Sequence, residues 1–428
     1  MIRKLSVEDF LTETLPSKMK KENKEEFLLA ASEIIADVRN TGDEAVTKYI
    51  KKFDGEAPQS FLVTEEERKS AWEKLDNKIV TSLQKAAENI RSFHQKQLNN
   101  SRMMEVEGDI ISGQLYRPIE KVGIYVPGGT ACYPSSVLMN AIPAVLAGVE
   151  EVVMVTPVKN NEEIAPILAV AADIAGVKKI YRVGGVQAIA ALAYGTESIP
   201  AVDKIVGPGN AYVAAAKQLV YGDVGIDMIA GPSEVAIIAD SSAYPAYVAA
   251  DLIAQAEHDT NARAFLISTS SALIAQVEDE LVKQCESLPR QSIASTALKE
   301  KGASVVVDSI DEAFELANKL APEHLEIQIT DPLTYLSKVK HAGSVFLGHY
   351  TPEALGDYYA GPNHVLPTSG TARFSSGLSV DDFVKKTTFL YYSEEALKEA
   401  SEHVINLANE EDLEGHGRAV AKRLEGKQ

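Results

Sequence analysis

The stretch DMIAGPSEVAIIADSSAYPAYVAADLIAQAEHDT, running from Asp227 to Thr260, decides the fold class. Ala230-Gly231-Pro232-Ser233 reads as a turn, because Gly and Pro suit tight backbone geometry and disrupt regular structure. Val235 to Ala239 is a short apolar run closed by Asp240, the pattern of a strand covered on both faces. From Ala246 the chain turns helical and closes on Gln255-Ala256-Glu257-His258-Asp259, and a helix puts Gln255 and His258, three apart, on one face. A buried strand followed by a helix is one βα unit. The polar cluster closing it is expected where open α/β sheets place their binding residues.

The same unit recurs on both sides. Upstream, Val122–Val126, Val152–Val155, Lys179–Val183 and Lys204–Val206 read as strands, separated by helices at about 135–146, 164–175, 186–194 and from Ala211. Downstream, Ala264–Ile267, Ser304–Val307, Leu325–Ile329 and Val345–Leu347 continue the apolar runs, with helices at about 272–285 and 311–319. Such alternation predicts parallel βαβ units. Pro127-Gly128-Gly129 and Gly207-Pro208-Gly209-Asn210 end two of the strands, where nucleotide-binding sheets hold their ligands. The chain contains no G-x-G-x-x-G fingerprint, so a phosphate would have to meet helix N-termini in another way. The first hundred residues carry helical stripes (Phe27, Ala31, Ile34, Ile35, Val38) and a capping box at Thr64-x-x-Glu67. Gly356 to Ser379 reads as a long polar loop, and the tail from Ser393 as a charged helix pair with little core of its own.

Bulk properties exclude several classes. A formal net charge of −19 over 428 residues argues against a nucleic-acid binder, which needs a basic face. The longest apolar stretches are too short to span a bilayer, and the N-terminus lacks the apolar segment of a secretory signal. Two cysteines, Cys132 and Cys285, fit a reducing cytoplasm.

Four clusters carry groups capable of chemistry. Gln255-x-x-His258 is not H-E-x-x-H, since position 254 is Ala. Glu323-His324, within APEHLE, supplies a carboxylate and an imidazole, the two commonest proton-transfer groups at neutral pH. Asp357, Asn363 and His364 lie in the polar loop, where Asp357 offers a hard oxygen. Glu411 and His416 lie in the tail. Gln, His, Asp and His make a plausible nitrogen/oxygen set for zinc. Cys132, beside a Gly-rich turn, is a candidate thiol nucleophile, although a small residue with no chemical role is the commoner case.

These segments together resemble the histidinol dehydrogenase family over essentially the whole chain. The residues that carry the resemblance are IDMIAGPSEV and the closing EH of Ile226–His258, APEHLE, and GPNHVLPTSGTARF. The resemblance implies two Rossmann-like βαβ domains with incomplete dinucleotide fingerprints, a helical N-terminal region, and a C-terminal helical tail that packs on the partner subunit. The implied division is an arm over 1–20, a substrate and zinc domain over 21–120 plus 235–380, an NAD domain over 121–234, and a dimerising tail over 381–428. It implies oxidation of L-histidinol to L-histidine through L-histidinaldehyde with two NAD+, the last step of histidine biosynthesis, in a cytoplasmic homodimer. Zinc, one per subunit, would be held by Gln255, His258, Asp357 and His416, the last donated across the interface with Glu411. Ser233, His324 and Glu411 match substrate-contacting positions, and Tyr125, Gln187 and Asn210 match NAD-contacting ones. His324 is the implied base and Glu323 the implied activator of water. The rivals are a relative acting on another small diol, a zinc hydrolase and a non-catalytic scaffold.

Overall fold

The computed structural model describes residues 1–15, 24–106, 109–128, 132–229 and 231–425. Gly129, Thr130 and Ala131 after the first Gly-rich strand end, Ala230 of the Ala230–Ser233 turn, and residues 16–20 of the expected arm lie outside the described residues. The chain divides into two compact units, one of residues 1–97 with 119–382 and one of residues 98–118 with 383–428.

In chain order the strands are β1 (Arg3–Leu5), β2 (Arg102–Val106), β3 (Ile110–Pro118), β4 (Lys121–Tyr125), β5 (Glu151–Val155), β6 (Lys179–Tyr181) and β7 (Lys204–Val206). They continue with β8 (Gly225–Ile226), β9 (Glu234–Ala239), β10 (Arg263–Ser268), β11 (Ala303–Val306), β12 (His324–Gln328), β13 (Ser344–Leu347) and β14 (Val384–Tyr392). In the first unit, β4 to β8 form a five-stranded parallel sheet in the order β6-β5-β4-β7-β8. The remaining strands of this unit form a six-stranded sheet, β1-β11-β10-β9-β12-β13, also parallel throughout. Counted from its own first long strand, each sheet runs 3-2-1-4-5, and the six-stranded sheet adds β1 at one edge. The strand order therefore reverses beside β4 in one sheet and beside β9 in the other. These are the topological switch points of doubly wound folds.

The expected strands of both sheets are present within one to three residues of their sequence positions. Central strands such as β9 and β10 are buried along their whole length, as parallel strands sandwiched by helices must be. Ala31, Ile34, Ile35 and Val38 of the helix Lys24–Thr41 share one core with Val153 and Val155 of β5 and Ile189 of the helix Gly185–Tyr194. The Thr64–Glu67 capping box is formed in both directions.

Three expectations need correction. The helix that opens at Pro245 stops at Ala256, with Glu257 as its cap, so His258 lies one residue beyond the cap rather than on the helix face. Asp357 sits in a short helix, Glu353–Tyr358, not in irregular loop. The helix pair read from Ser393 is present, but the segment 381–428 is not helical throughout: it opens with β14, antiparallel to β3, which pairs in turn with β2. This three-stranded sheet and the helices Glu394–Glu410 and Glu414–Leu424 make up the second unit. Pairing between strands nearly 270 residues apart leaves no local trace, and β14 alternates too weakly to stand out as a strand.

Candidate active site

At the amino edge of the six-stranded sheet the strand starts converge: Glu234 opens β9, Arg263 opens β10 and His324 opens β12. The helix Pro245–Ala256 runs antiparallel to the strands and brings Gln255 back to that edge. The site is therefore opposite the carboxyl edge where the sequence placed it. The reason is geometric, because a βα unit ends its helix where its strand began.

Two groups capable of proton transfer lie here. The Glu323 carboxylate accepts the Glu234 N–H at 2.9 Å, and His324 Nδ1 donates to the Glu234 carbonyl at 3.0 Å. That bond fixes the tautomer and leaves Nε2, buried and unpartnered, as the lone-pair end of the ring. Burial holds His324 down to about 3, so the ring is neutral at physiological pH. Burial pushes Glu323 well above the usual carboxylate range, the Glu234 N–H opposing it.

Beside them, ligand atoms of His258, Glu353 and Asp357 all lie within 4.8 Å of one another. Four ligands around one zinc at about 2.1 Å stand roughly 3.4 Å apart, so small rotations would close this set. The Gln255 amide faces the Glu353 carboxylate at 3.2–3.3 Å, the Glu234 carbonyl at 3.2 Å and His324 Nδ1 at 3.2 Å, and the surrounding carboxylate and carbonyl oxygens favour its nitrogen there, with Nδ1 giving its proton to the Glu234 carbonyl. Glu353 therefore orients Gln255 as well as standing among the possible ligands. Burial raises Glu353 well above the normal range and Asp357 to about 6, as expected of carboxylates gathered without a counter-charge. Nitrogen and oxygen donors crowded at this cost to their ionisation fit a divalent cation of the zinc type.

A cavity of about 140 Å³ opens onto His324, Ser344, Phe346, Asp357, Asn363 and His364. Cavities of about 150 Å³ accommodate a six-membered ring, so a small ring with a short chain is the right scale. His364 Nδ1 donates to the Asp357 carbonyl at 3.1 Å, and Asn363 donates to the Met139 carbonyl, so both help hold the cavity wall. Ser233 precedes Glu234 directly and is half-buried at the same edge.

The other expected positions lie elsewhere. Tyr125 closes β4, and its hydroxyl accepts the Gly185 N–H at 3.1 Å. Gln187, buried with Oε1 unpartnered, is in the first turn of the helix Gly185–Tyr194. Asn210 caps the helix Ala211–Val220, accepting from the Tyr212 and Val213 N–H groups at 3.1 Å each. All three belong to the carboxyl edge of the five-stranded sheet. Glu411 and His416 are in the second unit and exposed, Glu411 capping the helix Glu394–Glu410 and His416 in the first turn of Glu414–Leu424. Cys132 is exposed, yet desolvation by nearby chain raises its thiol, which disfavours a thiolate nucleophile.

Glu353 and Glu234 are the residues the sequence reading missed. Glu353 stands four before Asp357, so a helical reading would have put the two carboxylates on one face. Glu234 is a single charge opening an apolar run, as Arg263 is at the start of β10, so nothing marked it out.

No helix among the described residues is long and apolar enough to cross a membrane. The sequence profile of the histidinol dehydrogenase family matches residues 17–424. The chain is 58% identical over 394 residues to a histidinol dehydrogenase of Bacillus cereus, covering 92% of each chain. With that of Clostridium acetobutylicum it shares 53% over 412 residues, covering 96% of this chain and 95% of the relative. The crystal structure of histidinol dehydrogenase from Elizabethkingia anophelis superposes with a TM-score of 0.93 at 38% identity, over 99% of this chain and 98% of that one. This chain belongs to the histidinol dehydrogenase family, a family of oxidoreductases.

Proposed function

We propose that the protein oxidises L-histidinol to L-histidine by way of L-histidinaldehyde, using two NAD+, as the last step of histidine biosynthesis. The observation that carries this reading is the pairing of a neutral, buried His324 Nε2 with Glu323 beside a nitrogen/oxygen donor set and a ring-sized cavity. Gln255, His258 and Asp357 would hold zinc, with His416 of a partner subunit as the fourth ligand. When bound, zinc would anchor the amino and imidazole nitrogens of the substrate and so fix its orientation. NAD+, when bound, would accept the hydride.

The chain's own residues do the proton work. His324 Nε2 takes the hydroxyl proton as the carbinol carbon is oxidised. Glu323 then takes a proton from water as it adds to the aldehyde, and a carboxylate raised towards neutrality suits that exchange. His324 serves again when the hydrated aldehyde is oxidised. Ser233 and Glu411 complete the substrate contacts.

NAD is assigned to the 121–234 segment and the substrate to the 235–380 segment. Tyr125 and Asn210 flank the switch point between β4 and β7, and the positive dipole ends of two helices lie at the same carboxyl edge, which favours a pyrophosphate. The second unit leaves Leu390, Tyr391 and Leu407 more than half exposed, which supports a homodimer that covers them.

NADH formation from histidinol and from a sulfonated propanediol, measured side by side on zinc-loaded protein, tests the substrate. Turnover confined to the propanediol overturns the histidinol reading, and hydrolysis without NAD dependence overturns the oxidoreductase reading.

A further inference from the structure

Among the described residues, two ion pairs between full charges are buried on both sides: Arg263–Glu234 and Lys217–Asp227. Each stands at the edge of one sheet that carries a half of the proposed site. Buried pairs contribute little to net stability, because desolvation offsets their attraction. What each pair holds is therefore the more telling feature.

Arg263 Nη1 donates to Glu234 Oε1 at 2.7 Å, its Nη2 donates to the Thr14 carbonyl, and its guanidinium lies 4.9 Å over the Phe265 ring. The fork thus ties Glu234 to two neighbouring elements. The backbone of the residue so fixed is the one that addresses Glu323 through its N–H and His324 through its carbonyl. Lys217 Nζ donates to Asp227 and, at 3.0 Å, to the Gly207 carbonyl, while Asp227 accepts the Gly207 N–H at 2.8 Å. Both polar groups of Gly207 are held by one ion pair. Gly207 has φ +113, and a Cβ there would fall 2.1 Å from the Tyr125 carbonyl, so the turn leading to Asn210 has little freedom of its own.

We propose that the two pairs are positioning devices: Arg263–Glu234 for Glu323 and His324, and Lys217–Asp227 for the Gly207–Asn210 turn. This rests on the proposed function, with chemistry at one edge and NAD at the other. The pairs should then separate kcat from the KM for NAD.

The experiment compares Arg263→Met, Arg263→Lys, Lys217→Met and Lys217→Arg with the parent, with rates expressed per zinc-loaded site so that any misfolded fraction drops out. Misplacement of reacting groups by an ångström costs up to about a hundredfold. Arg263→Met should lower kcat about 10- to 100-fold with the KM for NAD within about twofold. Arg263→Lys should fall between, because one ammonium cannot replace a fork with two acceptors. Lys217→Met should raise the KM for NAD about tenfold or more, with kcat at saturating NAD within about threefold. If the methionine variants do not fold, the conservative variants carry the same split. Equal losses in both constants, or unchanged constants, overturn the proposal. A parent inactive on histidinol would instead overturn the proposed function. Asn210→Ala separates the remaining case: a raised KM there with none in the Lys217 variants sinks only the positioning role, and no change in either sinks the NAD placement.

Discussion

The five-stranded and six-stranded sheets have the same strand order, yet they offer opposite edges to their proposed ligands. At the carboxyl edge of the first, the helices Gly185–Tyr194 and Ala211–Val220 begin, and helix N-termini carry partial positive charge even where, as at Asn210, a side chain already caps the first N–H groups. At the amino edge of the second, the helix Pro245–Ala256 ends, presenting the negative pole of its dipole beside His258, Glu353 and Asp357. One edge suits an anion such as a pyrophosphate, and the other suits a cation. A duplicated topology would thus serve two proposed ligands of opposite charge without any change of fold.

The sharpest way to break this comparison is at His324. His324→Asn should cut turnover by about 10²- to 10⁴-fold, the usual contribution of a general base. Zinc content and the KM for NAD should not move, because the ring's Nδ1 faces the Glu234 carbonyl and NAD is proposed for the other sheet. Loss of metal, or a raised KM, would mean the edges are not separate.

Metal removal probes the charge of the amino edge. Asp357, at about 6, and Glu353, raised well above the usual carboxylate range by burial, bind protons more tightly folded than unfolded. Their contribution to stability is therefore present at low pH and lost as pH rises through about 6. Zinc-free protein should lose about 1.4 kcal/mol between pH 5 and pH 8 relative to an Asp357→Asn variant, by urea unfolding. Added zinc should reverse the trend. The carboxyl edge has its own test in Asn210→Ala, which loses a helix cap worth about 1 kcal/mol and should raise the KM for NAD about fivefold with zinc affinity unchanged. The smallest effect is expected of Cys132→Ser, with both oxidations within about twofold of the parent. Loss of the second oxidation would instead call for a thiohemiacetal.

The sequence made one edge more legible than the other. Gly207-Pro208-Gly209-Asn210 marks a strand end by local chemistry, and Asn210 is the N-cap it looks like. The alternation of runs such as Val235–Ala239 with Ala-rich helices was enough to recover every strand of the two parallel sheets except the edge strands β1 and β8. The amino edge is assembled from residues 234, 255, 258, 324, 353 and 357, and no local pattern reports that convergence. Gln255 and His258 looked like neighbours on a helix face, yet a cap lies between them. Glu323 and His324 were visible as groups capable of proton transfer, but the Glu234 backbone that orients both depends on the pairing of β9 with β12. The antiparallel partner of β14 was hidden for the same reason: its register joins Tyr392 to Ile110 across most of the chain.

The account stands on the division of work between Glu323 and His324, and the ratio of NADH formed to histidinol consumed tests it directly in the parent and in Glu323→Gln. The parent should give two. The variant, keeping its base but lacking the group that activates water, should give close to one, with histidinaldehyde trapped by an amine reagent. A ratio of two from both proteins, at rates slowed equally in each step, would contradict the assignment.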